Sequence, residues 1–350
     1  MKVLFFSRLF YPHIGGVERH VLEISKVLIK KGHRVTVITE NYDNLSKNDK
    51  LQGISIIRIN AGKEGKLKKL RIWLQLLKHL DKIQSADIIH CHDIFFWYLP
   101  FRFLFPFKKI FTTFHGYEGN ELPNKKAIFM HKIAEKLSKG NICIGNFYKK
   151  WYGTNATITS YGAVNSSLIK EGARNIKPSK DIVFIGRLEN ETGIMDYLNV
   201  LSAFKNRKIN LNMDIYGEGS LEEKAIEFVV DAKLNVKFKG FDPNVTNKIK
   251  EYRYIFVSRY LGILEAMALR KPIFAVYNNA IKKDYLEMTP FAGFISISKN
   301  ADEISKNILD YMNNDSNLAV EKAYGWVKNQ TWENLVNKYL KLWNLKYKYF

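Results

Sequence analysis

Residues 2–39 read KVLFFSRLFYPHIGGVERHVLEISKVLIKKGHRVTVIT. A short apolar run, KVLFFS at 2–7, gives way to a loop ending in Gly15 and Gly16. Val17, Val21, Ile24, Val27 and Leu28 then recur at helical spacing, which predicts an amphipathic helix. Gly32 stands where a glycine in left-handed backbone stops a helix. RVTVIT at 34–39 is again apolar and β-branched, too short for a helix, and reads as a strand. Strand, helix and strand in this order form a βαβ unit, whose two strands run parallel.

The same alternation continues outward. GISIIRIN (53–60), ADIIHCHD (86–93), KIFTTFHG (109–116), GNICIGN (140–146) and ATITSYG (156–162) are further apolar strands with helical stretches between them. Continuously apolar strands belong to parallel sheets covered by helices on both faces. KEGARNIKPSKD at 170–181 is polar, holds Gly and Pro, and reads as a linker. Beyond it the pattern restarts with DIVFIGRL (181–188), GIMDYLNVLSAF (193–204), LNMDIYGEG (211–219) and a helix near 220–233. NVKFKGF, YIFVS, a helix containing Glu265, KPIFAVY and GFISI follow. The fold class expected is α/β: two Rossmann-like domains, 1–172 and 180–332, facing across a cleft at the carboxyl ends of their strands. An amphipathic C-terminal helix, 333–350, would return to the first domain.

Charge narrows the partners. The 350 residues include 55 Lys and Arg against 34 Asp and Glu, a net charge of +21. Residues 1–175 hold 29 basic and 13 acidic side chains, whereas 176–350 hold 26 and 21. A basic first half calls for an anionic partner: a phosphorylated substrate, an anionic membrane face or nucleic acid. No nucleic-acid recognition motif accompanies the charge, so nucleic acid is not expected. No apolar run of about 18 residues free of charge occurs, so no transmembrane helix is expected. The opening MKVLFFSRLFYPHIGG is interrupted by Arg8 and lacks a small-residue cleavage site, so it does not read as a secretory signal. Cys91 and Cys143 fall in strands and form no disulfide framework, which fits a cytoplasmic setting.

Several strand-to-helix junctions suit an anion. Gly15 and Gly16 precede a helix, where backbone N–H groups and the dipole favour negative charge. The pattern is not G-x-G-x-x-G, and no acidic residue follows at dinucleotide spacing, so no dinucleotide is expected. Arg187 ends DIVFIGRL and offers a planar fork that matches phosphate oxygens. A salt bridge with Glu189 or Glu191 is the plainer reading. Gly217 and Gly219 in IYGEG would let a nucleotide lie against the backbone, and Gly240 and Phe241 would flank its base. YLGILEAMALRKP at 260–272 places Glu265 in the apparent first turn of an apolar helix. The dipole favours a carboxylate there by roughly 0.3–1 kcal/mol, and a buried one needs donors, which paired sugar hydroxyls would supply. His90 and His92 share a strand face without a third ligand, so no metal site is expected.

Taken in order, FYPHIGGVERHVLEISKVLIKKGHRVTVIT, DIIHCHD, TTFHG, TSYGAV, FIGRL, YGEG and LEAMALRKPIFA resemble glycosyltransferase family 4, retaining enzymes of the GT-B fold. The N-terminal stretch is most similar to enzymes that attach a sugar to a membrane phospholipid or polyisoprenoid phosphate. The resemblance implies a UDP- or GDP-linked sugar as donor, no cofactor, and a lipid-linked or glycan acceptor. It implies that Gly16 meets the donor phosphates and the acceptor, and that His115 of TTFHG lies near the reacting sugar carbon. Arg187 would grip the diphosphate. Glu265, beside Gly262 and Leu264, would hold the ribose as the second glutamate of an E-x7-E pair. Two positions depart from the family pattern. The first glutamate would stand at Val257, in a loop shorter than usual, and the customary lysine after Arg187 is Thr192. Arg259 and Lys271 are the nearby candidates for that cation. These departures leave open a weakly catalytic or non-catalytic protein of the same fold, and a sugar-nucleotide epimerase shares the fold too. No D-x-D triplet occurs, which argues against carboxylate-held Mg²⁺ and leaves Arg187, backbone N–H groups and helix N-termini to stabilise a leaving diphosphate.

KLKKLRIWLQLLKHLDKI (66–83) and IFFWYLPFRFLFPFKKIF (94–111) mix Lys and Arg with Trp, Phe and Leu, as interfacial segments do. The tail adds Trp343, Tyr347, Tyr349 and Phe350. An anionic membrane surface is therefore an expected partner, with the protein peripheral at the inner face of the cell membrane.

Overall fold

The computed structural model describes residues 1–65, 67–117, 122–173, 178–314 and 317–344. The chain divides into two compact units: Met1–Glu118, Pro123–Ser160 and Trp332–Phe350 form one, and Gly119–Leu122 with Tyr161–Thr331 the other. The division falls at Ser160, ahead of the polar stretch 170–181, and the helix Ser166–Gly172 belongs to the second unit. Part of that stretch, 174–177, lies outside the described residues.

The first unit is built on an eight-stranded sheet. Its strands are β1 (Lys2–Ser7), β2 (Arg34–Glu40), β3 (Asn48–Leu51), β4 (Ile54–Ile59), β5 (Ile88–His92), β6 (Ile110–Phe114), β7 (Asn141–Ile144) and β8 (Ile158–Ser160). They lie in the order β3-β4-β2-β1-β5-β6-β7-β8. All neighbours are parallel except β3 and β4. The five residues of β5 and of β6 are all buried, the polar His90, His92, Thr112 and Thr113 included, as in a parallel sheet covered on both faces. The strand β3, NDKL, is polar and largely exposed, so no apolar pattern announced it.

The helix Gly16–Lys30 turns Val21, Ile24, Val27 and Leu28 onto this sheet. Gly32 follows it with φ +82°, and its N–H donates to the Ile29 carbonyl at 2.9 Å. The C-terminal helix Trp332–Trp343 returns to this unit and packs on the helix Gly16–Lys30. Trp332, Leu335, Val336, Tyr339, Leu342 and Trp343 are its buried stripe, at helical spacing. Trp343 is thus a core residue, not a membrane-facing one: its indole N–H donates to Nδ1 of His90 at 3.0 Å. Tyr347, Tyr349 and Phe350 lie outside the described residues.

The second unit carries a six-stranded, all-parallel sheet. Its strands are β9 (Lys180–Ile185), β10 (Met213–Tyr216), β11 (Val236–Phe238), β12 (Tyr252–Phe256), β13 (Ile273–Val276) and β14 (Ser296–Ser298). The order is β11-β10-β9-β12-β13-β14, with Tyr252 opposite Lys180 and Phe256 opposite Phe184. This is the doubly wound arrangement, and its winding reverses between β9 and β12. In such sheets the carboxyl ends of those two strands are the customary place for a ligand.

Candidate active site

In the second unit, the loop after β9 holds Arg187, Glu191 and Thr192, and the loop after β12 holds Ser258 and Arg259. Glu191, almost wholly buried, joins them. Its Oε1 is 2.5 Å from a terminal nitrogen of Arg187 and 3.4 Å from one of Arg259. One carboxylate therefore holds two guanidinium groups at the switch point. The side chain of Arg187 is 70% exposed, so the rest of its donor fork faces solvent. The plainer reading of Arg187 is correct as far as Glu191 goes, whereas Glu189 is engaged by the Ser220 hydroxyl and N–H.

The two departures from the family pattern acquire physical reasons. Thr192 is buried, and its Oγ1 lies 2.6 Å from the Arg187 carbonyl and 2.7 Å from that of Glu189. It shapes the loop and offers nothing to a phosphate. Val257 is buried against Gly262, where an added Cβ would come within 2.6 Å of the valine Cγ2. The missing side chain at Gly262 thus admits Val257 and not a ligand. Lys271 does not replace the absent lysine. It precedes β13, at the amino end of the sheet, and its Nζ donates to the Lys250 carbonyl at 2.7 Å. Burial lowers its amine to about 8. Arg259 is the cation that the fold brings to Arg187.

Glu265 needs a further correction. The helix runs Tyr260–Ala268 and begins at Tyr260, so Glu265 sits beyond its first turn and gains little from the helix dipole. The first N–H of the helix is instead satisfied by the Tyr285 hydroxyl at 2.9 Å. Glu265 is buried, and Leu264 is fully enclosed in the core. Gly217 and Gly219 also have an internal reason. At Gly217, with φ +146°, a Cβ would sit 1.9 Å from the Gly186 carbonyl oxygen, and at Gly219 one would sit 2.5 Å from that of Leu188. The glycines let the loop after β10 lie directly on the loop that carries Arg187. Gly240, with φ +65°, returns beside them, and the Phe241 N–H donates to Glu218 Oε1 at 3.2 Å. The Phe241 ring is half exposed.

In the first unit, four histidines meet at the carboxyl ends of β1, β5 and β6. His20 comes from the helix Gly16–Lys30, His90 and His92 from β5, and His115 follows β6. Ring centroids are 4.6 Å apart for His20 and His115, and 5.0 Å for His90 and His92. Nδ1 of His92 lies 2.8 Å from Nε2 of His115, and the His115 N–H donates to Asp93. A hydrogen-bond chain runs behind them. The Trp343 indole donates to His90, whose Nε2 lies 2.7 Å from Thr113 Oγ1; that oxygen is 2.8 Å from the Tyr339 hydroxyl, itself 2.9 Å from Nε2 of His20. An indole only donates, so His90 accepts at Nδ1 and donates at Nε2, which orients the chain toward His20. Burial lowers all four histidines, His20 to about 3, and so keeps them neutral at pH 7. His115 is the one of the four that is half-buried as a residue. His92 Nε2 is buried without a hydrogen-bond partner.

The Gly15–Gly16 turn departs from expectation. An added Cβ at Gly15 would stand 2.5 Å from Oε2 of Glu18, whose carboxylate lies 3.4 Å from His13. The helix start already meets this chain's own carboxylate, and burial raises that group above the usual carboxylate range. Of the two glycines, only Gly16 opens onto free space. Among the described residues, no group of three or more His, Cys, Asp or Glu is arranged to hold a metal, and no helix is long and apolar enough to cross a membrane.

An unusual surface lies on the same unit. The helix Lys68–Leu77 buries Ile72 and Leu76, yet leaves Leu70, Leu74 and Leu77 about half exposed, with Leu67 just before it. The neighbouring helix Phe95–Leu104 exposes Phe103 and Leu104, followed by Phe107. Lysines and arginines interleave with both, and a second short helix, Leu80–Ser85, follows the first after Lys78 and His79.

Comparison with known proteins matches these features to one class. Residues 14–156 match the model of Glycosyltransferase Family 4, and residues 167–330 that of Glycosyl transferases group 1. A glycosyltransferase of Methanocaldococcus jannaschii is 26% identical over 96% of both chains. A human phosphatidylinositol N-acetylglucosaminyltransferase chain is 31% identical over 25% of this chain and 19% of its own. The crystal structure of Anabaena HepE with UDP and glucose superposes with a TM-score of 0.74 at 14% identity, covering 97% of this chain and 98% of that one. The chain is a glycosyltransferase of the family 4 type, with the GT-B fold. Of the alternatives the sequence left open, this selects the sugar transferase.

Proposed function

We propose that the chain is a retaining, metal-independent transferase that moves a sugar from a UDP- or GDP-linked donor to a lipid-linked or glycan acceptor at an anionic membrane face. The observation that carries this reading is the Arg187–Glu191–Arg259 cluster at the switch point of the second unit. Two fixed guanidinium forks, aimed at charge that grows on a leaving diphosphate, replace the work of a cation and need no reorganisation during reaction. The acceptor hydroxyl bonds to the anomeric carbon as the carbon–phosphate oxygen bond breaks, and the departing phosphate oxygen takes the hydroxyl proton. No protein base is required. Glu265 binds the ribose, Phe241 stacks on the base, and His115 orients the donor sugar. His115 suits this role because burial keeps it neutral and its Nε2 is already tied to His92.

The deciding experiment offers UDP- and GDP-sugars with phosphatidylinositol, whose inositol hydroxyls can accept a sugar, with and without excess EDTA. Turnover persists in the chelator, and the product keeps the donor's anomeric configuration by NMR. Activity lost in EDTA and recovered with Mn²⁺, or an inverted product, overturns the reading.

The acceptor side rests on the exposed leucines and phenylalanines among basic residues of the first unit, and on the human relative, whose name specifies a phosphatidylinositol substrate. Burying two leucines in the acyl boundary gains roughly 1.5–3 kcal/mol each. The double substitution Leu70→Ser, Leu74→Ser therefore cuts sedimentation with phosphatidylglycerol vesicles by about ten-fold or more. Equal binding to phosphatidylcholine vesicles at moderate salt removes the anionic membrane from the account.

A further inference from the structure

Lys282 has no part in anything derived so far. It stands in the helix Ala280–Glu287, where its N–H is held at 2.8 Å by the Asn279 side chain that caps the helix. A cation in a helix's first turn opposes the dipole. The side chain is fully buried. Its Nζ donates to the Ser258 carbonyl and lies 5.0 Å from the centre of the Tyr285 ring. Among the described residues it forms no ion pair. The acid whose charge reaches it, Glu191, is taken by Arg187 and Arg259. A methionine would fill the same space without the cost of enclosing an amine.

Its position ties it to Thr192, one of the two departures described above. Lys282 holds Ser258, the Ser258 hydroxyl donates to the Thr192 carbonyl at 3.2 Å, and Thr192 holds the Arg187 carbonyl. We propose that Lys282 is a positioning residue of the donor site, standing behind the Arg187–Arg259 pair in place of the lysine absent at Thr192, and that it takes up a proton when a nucleotide diphosphate binds. The inference rests on reading this cluster as the diphosphate site.

The charge balance explains the uptake. The groups facing Lys282 are Arg187 and Glu191 from the loop after β9, Arg259 from the loop after β12, and Tyr285 on its own helix. Two guanidinium groups against one carboxylate already leave the empty site positive. Burial first, then Arg259, holds the amine well below the usual lysine range. A diphosphate reverses that balance, and the ammonium form becomes the favoured one, its proton drawn from solvent. Lys282 touches no ligand itself; it acts by charge and by fixing Ser258.

Calorimetric titration of the full chain with UDP and with GDP, at about pH 8.5 where free phosphates no longer titrate, in buffers of different ionisation enthalpy, tests this. Wild type takes up close to one proton on binding, and its affinity falls as pH rises further. Lys282→Met loses the uptake and binds on the order of ten-fold more weakly, the scale of one charge at an effective dielectric of about 20. Lys282→Arg, always charged, recovers affinity without uptake. Binding by wild type without proton uptake, or uptake unchanged in Lys282→Met, overturns the role of Lys282 alone. A wild-type chain that binds neither nucleotide overturns the donor-site reading and this inference with it. If neither variant folds, the wild-type titration decides.

Discussion

Arg187→Ala weakens nucleotide diphosphate binding by about a hundred-fold, because a charge-assisted hydrogen bond contributes roughly 1.5–3 kcal/mol and Arg187 supplies more than one. The exposed fork is the part offered to ligand, but the loss also leaves the buried Glu191 carboxylate with Arg259 alone, so the melting temperature of the free protein should fall as well. Arg259→Ala costs less, about ten-fold, since that group is the more enclosed of the two, 31% against 70% exposed. The two effects are not additive. With Arg187 gone, Glu191 is left to Arg259 alone and draws it closer, so the double variant loses less than the product of the singles. Calorimetry with UDP and GDP on the four proteins measures the cycle. Unchanged affinity in Arg187→Ala places the diphosphate elsewhere.

Mild acid unfolds the first unit while leaving the second intact. His20, His90 and His92 are enclosed and His115 nearly so, and all four are lowered far from the unfolded value near 6.5. Below that value the unfolded chain binds protons that the native unit refuses. The stability conferred by these neutral histidines is complete above about pH 6.5 and is lost as pH falls toward the native values. Each histidine costs at most about 1.4 kcal/mol per pH unit. All four act in the same direction, so their losses add as the pH falls below the unfolded value, against a domain stability of only roughly 5–15 kcal/mol. All eight histidines of the chain lie in residues 13–131, and the second unit has none. Hydrogen exchange at pH 7 and pH 5 reads the difference. Protection should collapse in β1, β5 and β6 and persist in β9, β12 and β13. Equal loss in both units would remove the histidine cluster as the cause.

Much of the fold was legible because parallel strands are buried on both faces and therefore spell themselves in largely apolar residues. The helix Gly16–Lys30 was legible from its stripe and its glycine stop. The edge strand β3 was not, since a polar, exposed strand is defined only by its partner. The start of the helix holding Glu265 was missed for a related reason: Tyr260 can begin a helix because Tyr285 reaches back to its N–H, a contact between residues 25 apart.

The site divides in the same way. Arg187 could be singled out from its place at a strand end. That Arg259 joins it through Glu191 could not, because the two arginines meet only where β12 is laid beside β9. Lys282 looks like a surface lysine in the polar run IKKDY, and only the packing of its helix shows that it is enclosed. Trp343 looks like part of a membrane-binding tail, yet together with Tyr339 it closes the histidine cluster from behind. Local periodicity and backbone preference are written along the chain, and so, the edge strand β3 aside, the order of the strands followed from the residues alone. Charge pairing and burial depend on which distant segments share a neighbourhood. Those relations, the shared carboxylate, the enclosed lysine and the four neutral histidines, exist only once the sheets are wound.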